Sequence, residues 1–494
     1  MGWILVQERE EGFPLHMLYT PVATYSGRVE DAIGTNLGNA AIIFGKNGKF
    51  EAFFKGENVK VAEKYAYSSV LGNPDLPRKL ARIFSSKIRK LLKKAGRLGS
   101  ADFSKLSNSE LAGRITEFWR DYGDSYIYSE PLAWILKDIL GQHAERDVKN
   151  ALSKRGRGKE FGRIFGLLIA PAEKPFATRE EESLLRIVSK IKQSGSARAF
   201  AGNGSLPAAI GKMFRRHERE YFWVPFDYAG VIWDEDQYKE AARQLITQGF
   251  DSAKRLAEMD SYYKGIVGRQ RQLERFLKLN DKTRIALDAI RVTGFMMDYK
   301  KECFTKAHYA YRSLLLAAAG RLGWSMGQAY SVTPGELTGA LNGNPIKPDS
   351  DATRVLYMWG HNARVLDGTR GKAFLRKEGL AAKLQGEATE LKGTCACAGT
   401  VKGPAKIILT AKDLHRLKQG DVLVTIMTTP DFVRGMKRAG AIVTNDGGIT
   451  CHAAIVSREF NIPCVVGTRV ATKVFRDGDI LEVKAAHGVV RKVK

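Results

Sequence analysis

The stretch Thr444 to Pro463 holds the side chains best suited to chemistry: a β-branched run gives way to Asn445-Asp446-Gly447-Gly448-Ile449-Thr450-Cys451-His452 and then to Ala453-Ala454-Ile455-Val456-Ser457-Arg458-Glu459. The pattern predicts a strand, a turn through the two glycines, and a helix that begins near Thr450 and stops around Asn461 with Pro463 beyond. His452 then falls in the first helical turn. The unpaired backbone amides and positive dipole end of a helix favour an anion there, and glycines let backbone approach it closely. A neutral imidazole at that point can attack a phosphoryl group and carry it as phosphohistidine, with amides, Thr450 and Arg458 compensating the new charge. The same surroundings would lower the imidazole pKa and favour the unprotonated nucleophile. Gly447, Gly448, Thr450, Cys451 and Arg458 are therefore the supporting residues. A lone histidine at a helix start would read as a surface residue; the surrounding string sets this one apart.

A phosphoryl acceptor site would need a base for the acceptor hydroxyl and cations for the moving phosphate. Two groups supply those residue types: His217 with Glu218 and Arg219, and Lys300, Lys301, His308 and Arg312. Each can equally be a solvated or paired helix residue. Cys395-Ala396-Cys397 lacks a second pair at metal-binding spacing, so it reads as structural and no metal site is expected. Gly202-Asn203-Gly204 is too short a signal for a phosphate loop.

Three kinds of element must position these groups in a chain of 494 residues. Residues 1–74 read as β-rich, with Gly45-Lys46-Asn47-Gly48 joining two apolar runs as a hairpin. Residues 75–375 read as mostly helical. A basic amphipathic helix follows Asn73-Pro74, capping boxes are expected at Ser107-Glu110 and Thr178-Glu181, and long helical patterns run over 234–278 and 281–322. Residues 376–390, rich in Gly, Ala, Lys and Glu, read as a linker. From 391 to 494 short apolar runs alternate with turns and short helices, a compact α/β domain of about 100 residues; one of its helices is expected to start at Thr429-Pro430-Asp431. The fold class is multidomain α+β.

Lys and Arg number 79 against 53 Asp and Glu, a net charge of +26. Residues 390–494 hold 17 basic and 9 acidic residues, so +8 belongs to them and +18 to the rest. The excess is spread, as suits two regions that both handle anions. Five cysteines in a chain of this length fit a reducing compartment better than a disulfide framework. With no membrane span and no signal peptide in the pattern, the expected location is cytoplasmic.

The string from Gly447 to Glu459, followed by Ile462-Pro463-Cys464-Val465-Val466-Gly467, resembles the phosphohistidine signature of the PEP-utilising enzymes, among them phosphoenolpyruvate synthase, pyruvate phosphate dikinase and rifampin phosphotransferase. The similarity extends over about 391–494, through Gly399-Thr400-Val401-Lys402-Gly403, Val424 to Asp431, and Arg476-Asp477-Gly478-Asp479. Ala398 stands where those proteins often have proline. The resemblance implies a swivelling β/β/α domain whose His452 shuttles phosphate between distant sites. The helical region more weakly resembles the substrate-side domain of the rifampin phosphotransferase group, in Glu180 to Leu185, His217 to Trp223, and the helix over 291–322 followed by Thr333-Pro334-Gly335-Glu336-Leu337. Neither an ATP-grasp signature nor a PEP-binding barrel is recognisable.

The expectation is a phosphotransferase, or the phosphocarrier and substrate subunit of one. ATP and Mg would come through a separate ATP-grasp-type protein, with no cofactor held firmly by this chain and an unidentified phosphoryl acceptor. The contrasting reading is a nucleic-acid- or anionic-surface-binding protein that keeps the swivelling domain as a scaffold. It rests on the charge and the basic helix, and it predicts steep salt dependence without any need for His452.

Overall fold

The computed structural model describes residues 2–9, 13–99, 101–129, 131–202, 204–226, 232–247, 249–380, 390–428, 432–445, 447, 451–468 and 470–493. Asp227, Tyr228, Thr429-Pro430-Asp431, Gly448, Thr450 and most of the expected linker lie outside them.

The N-terminal strands do not close a sheet by themselves. β1 (Trp3–Arg9), β2 (Ala40–Phe44) and β3 (Phe50–Lys55) are joined by β4 (Arg354–Trp359) and β5 (Asn362–Asp367) in an antiparallel sheet of order β1-β3-β2-β4-β5. The hairpin forms as expected, with Ala41 opposite Phe53, while β2 takes β4 on its other edge with Ile42 opposite Leu356. Side chains alternate faces along a strand. Ala40, Ile42, Phe44, Phe50, Ala52 and Phe54 therefore enter the helical core, whereas Ala41 and Phe53 join Trp3 and Leu380 on the opposite face. Helix Gly368–Lys377 covers that second face through Phe374 and Leu375, and Glu378 ties it down by accepting from Trp3 Nε1 and Lys55 Nζ, both at 2.8 Å.

The region 75–375 is helical up to Leu341 and then supplies β4 and β5. Helix Asp281–Leu322 runs 42 residues, about 63 Å at 1.5 Å per residue. Asn280 caps its start, accepting from Thr283 N at 2.9 Å, and Gly323 ends it at φ 66°. The pattern over 234–278 resolves into helices Glu235–Thr247, Ser252–Tyr263 and Ile266–Phe276, with Gly249 (φ 67°) and Gly265 (φ 71°) in left-handed conformations between them. Helix Leu76–Ala95 buries Leu80, Phe84, Ile88 and Leu91 and leaves Lys79, Arg82, Arg89, Lys90, Lys93 and Lys94 in solvent. The capping box at Ser107 and Glu110 forms. That at Thr178 does not: the helix starts two residues earlier, at Phe176 after Pro175, and Thr178 is a buried first-turn residue.

The C-terminal domain is one eight-stranded sheet: β6 (Glu390–Lys392), β7 (Thr394–Cys397), β8 (Thr400–Ile407), β9 (Val422–Thr425), β10 (Ala441–Thr444), β11 (Cys464–Val466), β12 (Ile480–Lys484) and β13 (Val489–Lys492), in the order β6-β13-β12-β8-β9-β10-β11-β7. β8 to β11 are parallel neighbours and the flanking pairs are antiparallel. The period of two divides β9 to β11 between two cores. Leu423, Ile442, Cys464 and Val466 pack with Ala453, Ala454 and Val456 of helix His452–Glu459, and Val422, Val424, Ala441, Val443 and Val465 pack on the other face. Among the described residues no helix is long and apolar enough to cross a membrane.

Candidate functional site

β10 runs between β9 and β11 with all four residues buried, and its C-terminal end delivers the chain to the loop before His452. Two anchors fix that exit. Thr468 donates to Thr444 O from both N (3.0 Å) and Oγ1 (2.8 Å). Asn445 donates from Nδ2 to Thr472 Oγ1 at 2.7 Å and to Glu8 Oε1 at 2.8 Å, while its Oδ1 accepts from Thr472 N at 3.0 Å. Gly447 has φ 114°, and a Cβ there would stand 2.7 Å from Cys451 Sγ, so this turn needs glycine. Cys451, in extended conformation, is the N-cap, and His452 is the first residue of helix His452–Glu459. The helix starts two residues after Thr450, and His452 is in its first turn as expected. Among the described residues the N-cap side chain makes no capping hydrogen bond, and the first amides of a helix are where an anion is held.

Arg458 stands elsewhere than expected. It lies in the last turn, six residues after His452, or about 9 Å along the axis, and its Nε donates back to Ala454 O at 2.8 Å. It packs over Gly166 of the helical body, where a Cβ would come 2.6 Å from Arg458 Cδ. In this arrangement it meets the body.

The two acceptor-side groups are not brought together. His217 is 1% exposed, its Nδ1 shares a hydrogen bond with Ser183 Oγ at 2.9 Å, and its Nε2 lies 3.3 Å from Glu180 Oε1. It stands edge-on to Tyr238 in a satellite core, while Glu218 is half-buried and Arg219 exposed. His308 is in the main core, Nε2 to Nε2 with His16 at 3.2 Å, among Trp119, Tyr122 and Tyr311. Burial drives its pKa well below the usual imidazole value. Arg312 is exposed, Lys301 is half-buried, and Lys300 lies over the Tyr126 ring. Neither histidine faces an opening with its proposed cations. Each satisfies a packed interior, because helical spacing that gathers charges in sequence can still turn an imidazole inward.

Cys395, Cys397 and Cys464 sit in strands of the C-terminal sheet. Cys464 and Cys397 are opposite one another on β11 and β7. Burial raises the thiol pKa values, that of Cys395 to about 11 and that of Cys464 well above the ordinary range, which leaves protonated thiols rather than nucleophiles.

The charged groups that sequence reasoning passed over are those the body presents to the domain. Lys473 Nζ lies 2.9 Å from Glu8 Oε2 and 3.3 Å from Glu51 Oε1. Glu459 accepts from Thr178 Oγ1 at 3.3 Å, from Arg255 Nη2 at 3.4 Å and from Tyr263 OH at 3.5 Å. Burial first, and the neighbouring Glu181 second, raise the Glu459 carboxyl to about 7 against the pull of Arg255. Asp298, which accepts from Phe176 N at 2.9 Å, is likewise raised by burial to about 7. Glu459 stood in the signature string, yet nothing local marked Thr178, Arg255 or Tyr263 as its surroundings.

The strand, the glycine turn and the helix that begins at His452 sit together on the parallel part of this sheet. Residues 417–488 match the family described as PEP-utilising enzyme, mobile domain. The chain is 55% identical over 100 residues to a probable phosphoenolpyruvate synthase of Archaeoglobus fulgidus, covering 20% of this chain and 13% of that protein. It is 52% identical over 102 residues to phosphoenolpyruvate synthase of Pyrococcus furiosus, covering 21% and 12%. It is also 46% identical over 101 residues to an uncharacterized phosphotransferase of Bacillus subtilis, covering 20% and 12%. The chain thus spans about an eighth of the length of these relatives.

Proposed function

We propose that this protein is a phosphotransferase, or the phosphocarrier and substrate subunit of one, and that His452 is the residue that carries the phosphoryl group. The observation that supports it most is the position of His452 as first residue of a helix, shortly after a turn that needs glycine at Gly447, within the residues that match the PEP-utilising enzyme mobile domain. The imidazole attacks the donor phosphorus, the P–O bond to the leaving group breaks, and a phosphoramidate P–N bond forms. Helix amides balance the negative charge brought in. The supporting set is Gly447, Gly448, Thr450 and Cys451. The donor is a separate ATP-grasp-type protein that supplies ATP and Mg, and the acceptor binds the helical body in a cytoplasmic setting.

Labelling with β- and γ-labelled ATP, alone and with a candidate ATP-grasp protein, tests this. Acid-labile, base-stable label on the wild type that is lost in His452→Ala is the expected result. Absence of label from every donor, with tight salt-sensitive polyanion binding that His452→Ala leaves intact, would favour the scaffold reading instead.

A further inference from the structure

Two helices of the body end beside one another at the surface, and both endings are crowded with cations. Helix Pro131–Ser153 closes through Gly156, at φ 67°, with Arg157 N donating to Leu152 O and Gly156 N to Ser153 O, both at 3.0 Å. Helix Ile266–Phe276 closes in the same way through Lys278, at φ 51°, with Leu279 N donating to Glu274 O at 3.1 Å and Lys278 N to Arg275 O at 3.0 Å. Glycine is the usual residue at that left-handed position, and a lysine is held there at a cost in strain. Residues 154–163 and 271–278 together carry eight Lys and Arg against two Glu. A helix end offers only about half a negative charge for cations to offset, far less than this excess. Among the described residues no carboxylate pairs with Lys154, Lys159, Arg271, Arg275 or Lys278.

Between the two endings stands Phe276, 44% exposed. The guanidinium carbons of Arg155 and Arg157 lie 5.4 and 5.3 Å from its ring centroid, and the left-handed turn at Gly156 is what brings residues on both sides of it back to one ring. Each arginine is held in place by a further bond. Arg155 Nη1 donates to Ala151 O at 2.9 Å, and Arg157 Nη2 to Glu160 Oε2 at 2.8 Å. The ring and its two cations are thus ordered before any partner arrives, which lowers the entropy cost of binding one.

An exposed aromatic ring among unpaired cations is complementary to a polyanion that carries flat, stackable groups. We propose that this patch binds single-stranded nucleic acid, with one base stacked on Phe276 or on the guanidinium planes over it and backbone phosphates at Lys154, Lys159, Arg275 and Lys278. A duplex keeps its bases stacked inside, so it could use the cations but not the ring. A lipid surface needs an apolar helix face to enter, and none accompanies Phe276. Val267, the other exposed apolar residue of this helix, is nine residues away and so on the opposite face, while Leu273 and Leu277 pack into the main core. A second copy of a chain with net charge +26 would be repelled. The proposal stands apart from the phosphocarrier reading and does not involve His452.

Fluorescence anisotropy of a fluorescein-labelled oligouridylate of about 15 nucleotides, titrated with the full chain, tests this. Contact with about five phosphates makes affinity fall roughly a hundredfold between 50 and 200 mM salt. Phe276→Ala is expected to weaken binding about tenfold, as loss of one stacked base does, with the salt slope unchanged, and Phe276→Trp to restore it. Arg155→Gln with Arg157→Gln, which leaves the ring in place, is expected to flatten the slope by about 1.4. Lys90→Gln with Lys93→Gln, an equal loss of charge on helix Leu76–Ala95, is expected to leave the slope as it was. Phe276→Ala binding as tightly as the wild type, a duplex bound as tightly as the single strand, or an equal loss of slope from the helix pair would reduce the patch to diffuse charge and overturn the proposal. Binding to phosphatidylglycerol vesicles that Phe276→Ala abolishes, with the oligouridylate ignored, would assign the patch to a lipid surface instead.

Discussion

His16 and His308 meet at 3.2 Å in the main core, both 2% exposed, with Trp119 and Tyr311 against their rings. Burial lowers the His16 pKa to about 3 and that of His308 well below its ordinary value. In the unfolded chain both titrate near 6.5. The folded state therefore binds fewer protons than the unfolded state below about pH 6.5, and the stability present above that pH is lost as the pH falls, at about 1.4 kcal/mol per pH unit for each imidazole. Asp298 and Glu459, raised to about 7, act with the opposite sign between roughly pH 4.5 and 7 and mask the effect in the whole protein. The difference between wild type and His308→Phe isolates it. Urea unfolding at pH 7.5 and 5.5 should show the variant losing less stability on acidification than the wild type; parallel loss in both would contradict the burial argument.

Gly447 joins residue to element, since its φ of 114° sets the angle at which β10 hands the chain to the His452 helix. Gly447→Ala places a Cβ against Cys451 Sγ in a conformation costing on the order of 1–3 kcal/mol. The domain should stay folded while phosphorylation of His452 slows by about a hundredfold, as expected for a misplaced nucleophile; a rate equal to wild type would show that the turn does not position it. Helix Leu76–Ala95 makes the same separation of roles by face. Phe84, packed on Tyr299 and Phe304, anchors it, so Phe84→Ala should cost about 3–5 kcal/mol. Exposed Lys90→Ala should cost under about 0.5 kcal/mol, measured by denaturant midpoint. Elements whose signals are local were legible in the sequence: the hairpin through Asn47-Gly48, this amphipathic helix, the Ser107 cap, and the strand–turn–helix around His452. Those settled by distant partners were not. Arg354–Trp359 and Asn362–Asp367 form a hairpin through Gly360-His361, but its place in the N-terminal sheet comes from β2, about three hundred residues earlier; and Thr178, which has the residue type of a cap, hydrogen-bonds instead to Glu459 of another domain.

At the scale of the molecule, the +26 charge says that anions are welcome on both parts, but the contact between the parts turns on carboxylates. Glu8 and Asn445 are 437 residues apart in the chain, and Glu459 and Thr178 are 281 apart, so composition could not disclose them. This contact has a pH dependence whose sign follows from Glu459. Facing it are Thr178 and Glu181 on one helix, Arg255, Tyr262 and Tyr263 on another, Arg458 and Lys437 from its own domain, and Asp298 beyond Phe176. In this contact its carboxyl titrates at about 7; were the contact to open into water, it would return to roughly 4.3. The docked form thus holds a proton that the open form releases, and docking strengthens as the pH falls from about 7 towards 4.5, by up to about tenfold per pH unit. Scattering profiles from pH 8 to pH 5.5 should move towards the compact radius, and Glu459→Gln, which removes the titrating proton while keeping the shape, should flatten the response. An expansion on acidification, or an unchanged slope in Glu459→Gln, would place the controlling charge elsewhere in the interface.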